Sequence, residues 1–406
     1  MEYMIRGKKL VTVSKLDTIK DGAMVIKGGK IAAVGQWSEL KESFSGIKVL
    51  DYSKYIITPS LIDCHTHLLE FAPTSLYPVT AETHFLAGKA ILFQALSSGI
   101  TALGEQICGH PQCDFSIDDY RKAVKDFPMD ISFAATSISI GFEQLAHFTS
   151  VTQSKSVSQL ELTDLKVVQE IAEESDYPGE NIFINATPAN FTEEQVPRAG
   201  QIIYSFEELK QIADTYHKLG KKIGAHVAGE KGIEMALDAG IDVLHHAQGI
   251  NDELAEKAAK LGVHIIATPI GGTHLLPNSP EEILSLMENN IPVSISTDAY
   301  LPPHPDASWL PFNDRSLKGP DTLMAIARPA MKLLHDYGYD ENVLLAMITA
   351  NPAKLLRKDK KFGRLEAGLD ADFLVAEGVP GLEITENSDI KKVYFKGKEV
   401  INRVRK

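Results

Sequence analysis

Apolar and polar positions alternate along the chain in two textures. Residues 1–55, and again the stretch from about 370 onward, break into short runs rich in β-branched residues: "KKLVTV", "GAMVIKGGKIAAVG", "IKVLDYSKYIITP", "ADFLVAEG" and "KKVYFKGKEVINRV". Gly, Asp and Lys punctuate them, which is the pattern of strands joined by tight turns. The middle of the chain changes period. Apolar runs of strand length there alternate with longer amphipathic stretches, as in "KKIGAHV", "KGIEMALDAG", "IDVLHHA", "NDELAEKAAKLG" and "VHIIAT". Several of the helical stretches close on Gly, and "SFEE" and "SPEE" offer Ser as the N-cap. The alternation predicts eight strand–helix units in about 280 residues. That is the signature of a (β/α)8 barrel of the TIM type, with a doubly wound open sheet as the competing arrangement. The two β-rich ends predict one small β-sandwich built from both termini. The expected division is 1–55 plus 360–406 for the sandwich and 56–359 for the barrel.

Composition narrows the partners. A net charge of -13 argues against binding nucleic acid, which needs a basic surface. No apolar run reaches the roughly 18 residues of a membrane span. Three cysteines make no disulfide framework, and the N-terminus lacks a leader pattern, so the expected compartment is the cytoplasm. A small-molecule substrate remains as the expected partner.

In a (β/α)8 barrel the chemistry sits at the C-terminal ends of the strands. The first such strand ends "TPSLIDCHTHLLEF". Residues two apart on a strand share a face, so His65 and His67 point the same way, as paired imidazole ligands for a borderline metal would. Strand five ends at His226, strand six at His245-His246, and strand eight at Asp298. Four strand ends therefore offer histidines and a carboxylate on one face. Parity allows only one of His245 and His246 to face the mouth.

These segments resemble the amidohydrolase superfamily, nearest its imidazolonepropionase- and prolidase-like branch. The resemblance rests on "TPSLIDCHTHL", "AHVAGEKGIEMALDAGIDVLHHA", "ISTDA" and "TANPAKLL" followed by "FGRLEAGLDADFLV", and it spans essentially the whole chain. It implies His65, His67, His226 and Asp298 as metal ligands, zinc as the natural ion with another divalent metal as the alternative, and His246 as the strand-six histidine, a catalytic residue that polarises the substrate carbonyl. It also implies hydrolysis of a C–N bond, with Asp298 as proton carrier. Homo-oligomers are common in the family. Many relatives carry a carboxylated lysine on strand four that bridges two metals. Here Phe183 takes the aligned position, and no lysine occurs between Lys166 and Lys210. The expectation is therefore one zinc, with a second ion as the alternative and Glu105 as substitute bridge. Glu230 is the candidate proton shuttle for the alternative reaction, deamination of an amino-heterocycle. His274 and Arg198 are the candidate substrate contacts. A non-catalytic role in assembly is the remaining alternative; it would call for lost ligands, and all five are present.

Overall fold

The computed structural model of the chain describes residues 2–69, 80–107, 115–136, 163–186 and 200–404. Its N-terminal part forms β1 (Glu2–Val11), β2 (Thr18–Lys20), β3 (Gly22–Lys27), β4 (Lys30–Gln36) and β5 (Lys48–Pro59). Along β1 the side chains alternate. Tyr3 and Ile5 enter one apolar cluster, with Ile26, Ile57 and Phe373, while Met4 joins another with Ala23, Val25 and Trp37. A strand buried on both faces in this way needs layers on both sides.

The middle of the chain supplies β6 (Leu61–Thr66), β7 (Ile100–Ile107), β8 (Asp130–Ala135), β9 (Ile182–Phe183), β10 (Gly224–Ala228), β11 (Val243–Gln248), β12 (His264–Ala267) and β13 (Val293–Ile295). The chain then returns through β14 (Phe373–Ala376), β15 (Ile390–Phe395) and β16 (Lys398–Asn402). These three join the N-terminal strands in one eight-stranded sheet, where β14 pairs antiparallel with β5. Strands from both termini are thus joined in one sheet. Residue 55, the expected boundary, falls inside β5.

The eight middle strands form two parallel sheets, β6-β7-β8 and β9 through β13, in sequential order. That order lacks the reversal of a doubly wound sheet. Two seams join the sheets. At one, Thr297 donates its backbone N–H and its hydroxyl to Asp63, Asp298 N–H donates to His65 O (3.1 Å), and His67 N–H donates to Ala299 O (3.1 Å). At the other, the Thr136 hydroxyl donates to Glu180 O and the Asn181 amide donates to Ala135 O (3.0 Å).

The helices start where the sequence signals put them. Ser205 and Ser279 cap Phe206–Lys218 and Pro280–Glu288, and Pro280 sits where a missing N–H costs nothing. Gly240 and Gly262 close two helices in the left-handed conformation. Apolar faces of these helices and the strand interiors share one large core, including Leu61, Leu103, Phe133, Leu209, Ile233, Leu244, Ile265 and Met331.

Candidate metal centre and active site

The ends of β6, β10, β11 and β13 bring His65, His67, His226, His245, His246 and Asp298 together. A seventh group completes the cluster. Glu180, just ahead of β9, is fully buried among the imidazoles. Its Oε1 lies 2.8 Å from His226 Nδ1 and 2.8 Å from His246 Nε2. Its Oε2 lies 3.3 Å from His65 Nε2 and 3.4 Å from His67 Nε2. Asp298 Oδ1 faces the same two nitrogens, at 3.3 Å and 3.7 Å.

Sequence reasoning missed Glu180 because it looked only at C-terminal strand ends. β9 is two residues long and starts late. The Glu180 N–H donates to the Gln106 side chain (3.0 Å) and its carbonyl accepts from Thr136, which follows β8. Those contacts raise the start of β9 to the level where β8 ends. The available signal was an acid directly after Pro178-Gly179, two residues ahead of the apolar run that begins at Ile182.

Phe183, expected at the lysine position, lays its ring flat on the His226 imidazole (4.2 Å between centroids, 11° between planes). It supplies no ligand.

The parity argument for the histidine pair fails. His245 is level with His226 in the ladder and points to the interior, as parity allows. His246 then adopts φ 71° and Ala247 φ 49°, and the ladder shifts register at Val227/Ala228. The break in alternation swings the His246 ring to Glu180 as well. Both histidines are fully buried in the cluster, and neither turns toward the helix layer.

The remaining expectations fare differently. Glu105 is buried, but its carboxylate is already spent: Oε2 accepts from the Thr66 hydroxyl (2.6 Å), and Oε1 accepts from the N–H groups of Leu68 (2.7 Å) and Leu69 (2.6 Å). It anchors the turn behind His67 and does not bridge the imidazoles. Burial pushes its pKa up to about 7 in spite of those bonds. Glu230 is exposed at the first position of the helix Glu230–Ala239, which favours an acid there for the helix dipole and gives a shuttle no shelter. His274 sits at the rim, with its ring against Gly200, near enough to His226 for burial and that imidazole together to lower its pKa. Arg198, Cys108 and Cys113 lie outside the described residues.

The electrostatics call for a cation at the centre. Burial alone would pull the His65 pKa down, yet Glu180 and Asp298 outweigh it and push it up to about 10. Burial likewise would raise Glu180 and Asp298, but the imidazoles, His65 first, hold both below the ordinary carboxylate range. Burial, then His226, brings His246 down to about 4. His246 Nδ1 lies 2.7 Å from the Thr268 hydroxyl, and its Nε2 lies 2.8 Å from Glu180 Oε1. A hydrogen or a cation on Nε2 makes that second contact attractive. His65 Nε2 and His226 Nε2 are buried and make no hydrogen bond. Imidazoles and carboxylates converging with open valence are the donor set of a divalent metal such as zinc.

The amidohydrolase family matches this chain over residues 56–400. The chain belongs to that family. Membership makes it a metal-dependent hydrolase of C–N bonds. An imidazolonepropionase of Shouchella clausii (strain KSM-K16) is 22% identical over 400 residues, covering 89% of this chain and 81% of the relative. Among solved structures, molinate hydrolase superposes with a TM-score of 0.75 at 18% identity, covering 98% of this chain and 94% of that one. A Xaa-Pro dipeptidase with methionine in its active site gives 0.71 at 17% identity, covering 98% and 99%. At these identities the structural likeness establishes the fold of this amidohydrolase and leaves its substrate open.

Proposed function

We propose that this amidohydrolase hydrolyses a cyclic amide or short peptide-like amide of a small polar molecule, and that its centre would hold two divalent ions, zinc by donor preference, with Glu180 as a ligand to both. One observation carries the reading: the two oxygens of the buried Glu180 carboxylate face different histidine pairs, Oε2 toward His65 and His67 and Oε1 toward His226 and His246. His65, His67 and Asp298 would hold one ion, and His226 and His246 the other. The expectation of a single zinc rested on the missing lysine, and Glu180 would supply the bridging carboxylate without it. Glu105 is not needed in that part. On this reading the eight parallel strands close into one barrel across the two seams, with the terminal sheet as the core of the sandwich, and the protein works in the cytoplasm.

When bound, such ions lower the pKa of a water toward neutrality and polarise the substrate carbonyl. The chain does the rest. Asp298, buried and held ionised beside His65, takes the proton of the attacking water and returns it to the leaving nitrogen. His246, fixed by Thr268, keeps its Nε2 aimed inward. The loop Pro269–Leu276 brings Gly272 against His246 and Asp298 and narrows the mouth. The exposed position of Glu230 leaves the deaminase alternative without its shuttle.

The test is metal analysis with a substrate panel of cyclic amides, Xaa-Pro dipeptides and amino-heterocycles. About two zinc ions per chain are expected, falling to one or none in Glu180→Gln. Reconstitution of the stripped protein should ignore bicarbonate, because no lysine carbamate is required. A wild-type stoichiometry of one, or full metal loading in Glu180→Gln, removes the bridge.

A further inference from the structure

His245 touches the centre without facing it. Its Nδ1 lies 2.9 Å from His65 Nδ1, and its Nε2 lies 3.3 Å from the carbonyl oxygen of Pro178. Proton counting assigns the tautomers. A carbonyl only accepts, so His245 Nε2 carries the hydrogen that points at Pro178. A neutral imidazole has no second N–H, which leaves His245 Nδ1 as an acceptor. The single proton in the gap between the two rings then belongs to His65 Nδ1. With that nitrogen protonated, the lone pair of His65 sits on Nε2, the atom 3.3 Å from both Glu180 and Asp298.

The other end of the chain of contacts matters equally. Pro178 is two residues before Glu180 on the same segment. That segment presses against Gly224, where an added Cβ would lie 2.0 Å from Gly179 O and 2.9 Å from both Pro178 O and His245 Nε2. Any side chain at 224 would push the segment away from His245.

We propose that His245 is a positioning residue of the metal centre: through Pro178 O and His65 Nδ1 it fixes the tautomer of one ligand and holds the segment that aims Glu180, with Gly224 leaving the room. The proposal rests on the metal-site reading above. It assigns His245 a role that the strand-parity argument would give to packing alone.

Zinc affinity of the full chain, measured by competition with a chromophoric chelator, tests it apart from turnover. His245→Ala should bind zinc about 10–100-fold more weakly, the usual loss when a partner of a ligand is removed. His245→Gln keeps a donor for Pro178 and fills the space, while its one acceptor, Oε1, does not fall at the imidazole Nδ1 position. It should fold as the wild type does and still lose affinity, with kcat falling more than KM. Gly224→Ala should weaken zinc binding in the same direction. His65→Ala is the control for the parent reading. If His65→Ala binds zinc like the wild type, the metal site itself is misassigned. If His65→Ala loses zinc while a well-folded His245→Gln binds it with wild-type affinity, only the positioning role falls.

Discussion

The Phe183 ring stacks on the His226 imidazole, with centroids 4.2 Å apart and planes 11° from parallel. A phenyl ring at this place holds the face of the imidazole and excludes water from behind it. Phe183→Ala should cost about 3–5 kcal/mol of unfolding free energy, as buried aromatic truncations do. It should also loosen zinc. Urea denaturation with a parallel zinc titration checks both; a change below about 1 kcal/mol with unaltered zinc affinity would mean that the stack holds nothing.

Asp298 is the proton carrier in the proposed reaction. Asp298→Asn keeps the shape and one oxygen, so the fold and much of the metal should remain. Hydrolysis should fall roughly a hundredfold or more, within the range that proton transfer contributes. Steady-state kinetics on any substrate found in the panel decide it, and near-normal turnover would take Asp298 out of that role.

Gly272 has φ 111°, and a Cβ there would lie 2.4 Å from His246 Cε1 and 2.6 Å from Asp298 Oδ2. Gly272→Ala should therefore displace one of them and lower kcat/KM by about a hundredfold, the scale of a small misplacement at a reacting centre. Gly46→Ala is the matched control: its φ is +88° and no atom lies within 4 Å of the added carbon. That variant should carry the backbone strain and keep its activity. Equal losses in the two variants would show strain acting alone.

Away from the centre, His264 is buried against the Ser294 hydroxyl (2.9 Å), and burial brings its pKa down to about 3. The unfolded chain takes up this proton near pH 6.5 and the folded chain does not. Stability from this residue is complete above about pH 6.5 and drains as pH falls toward about 3, at up to about 1.4 kcal/mol per pH unit. Between pH 7 and 5 the wild type should lose about 2 kcal/mol more than His264→Asn in urea melts, a difference in which the shared metal site cancels. Parallel pH profiles would remove His264 from the acid response.

The sequence made some of this site legible and hid the rest for physical reasons. His65, His67, His226 and Asp298 stand at the ends of apolar runs, where regular strands present them. Glu180 stands at the beginning of a run, and only the shortness of β9 lifts it to the mouth. Its level depends on tertiary contacts to Gln106 and Thr136, which no local pattern encodes. The histidine pair was misjudged because parity assumes a regular ladder, and a positive φ at His246 breaks it. Glu105 looked like a bridge because it is an acid at a strand end. Its hydrogen bonds to the turn at Leu68 and Leu69 are invisible until the chain is folded. The eightfold alternation and the shared terminal sheet were the most legible features, since both rest on burial patterns repeated many times.

β5 ends at Pro59 and β6 begins at Leu61, so Ser60 alone separates a strand of the terminal sheet from the strand that carries His65. The return strand β14 is zipped to the same stretch, pairing Phe373 with Pro59 and Leu374 with Thr58. There is no slack at this junction for an engineer to cut. Severing the gene at residue 55 would leave part of β5 on each fragment and free the anchor of His65 and His67. Transplanting the hydrolytic part onto another scaffold would have to carry β5 and β14 along, as a keystone travels with its neighbours.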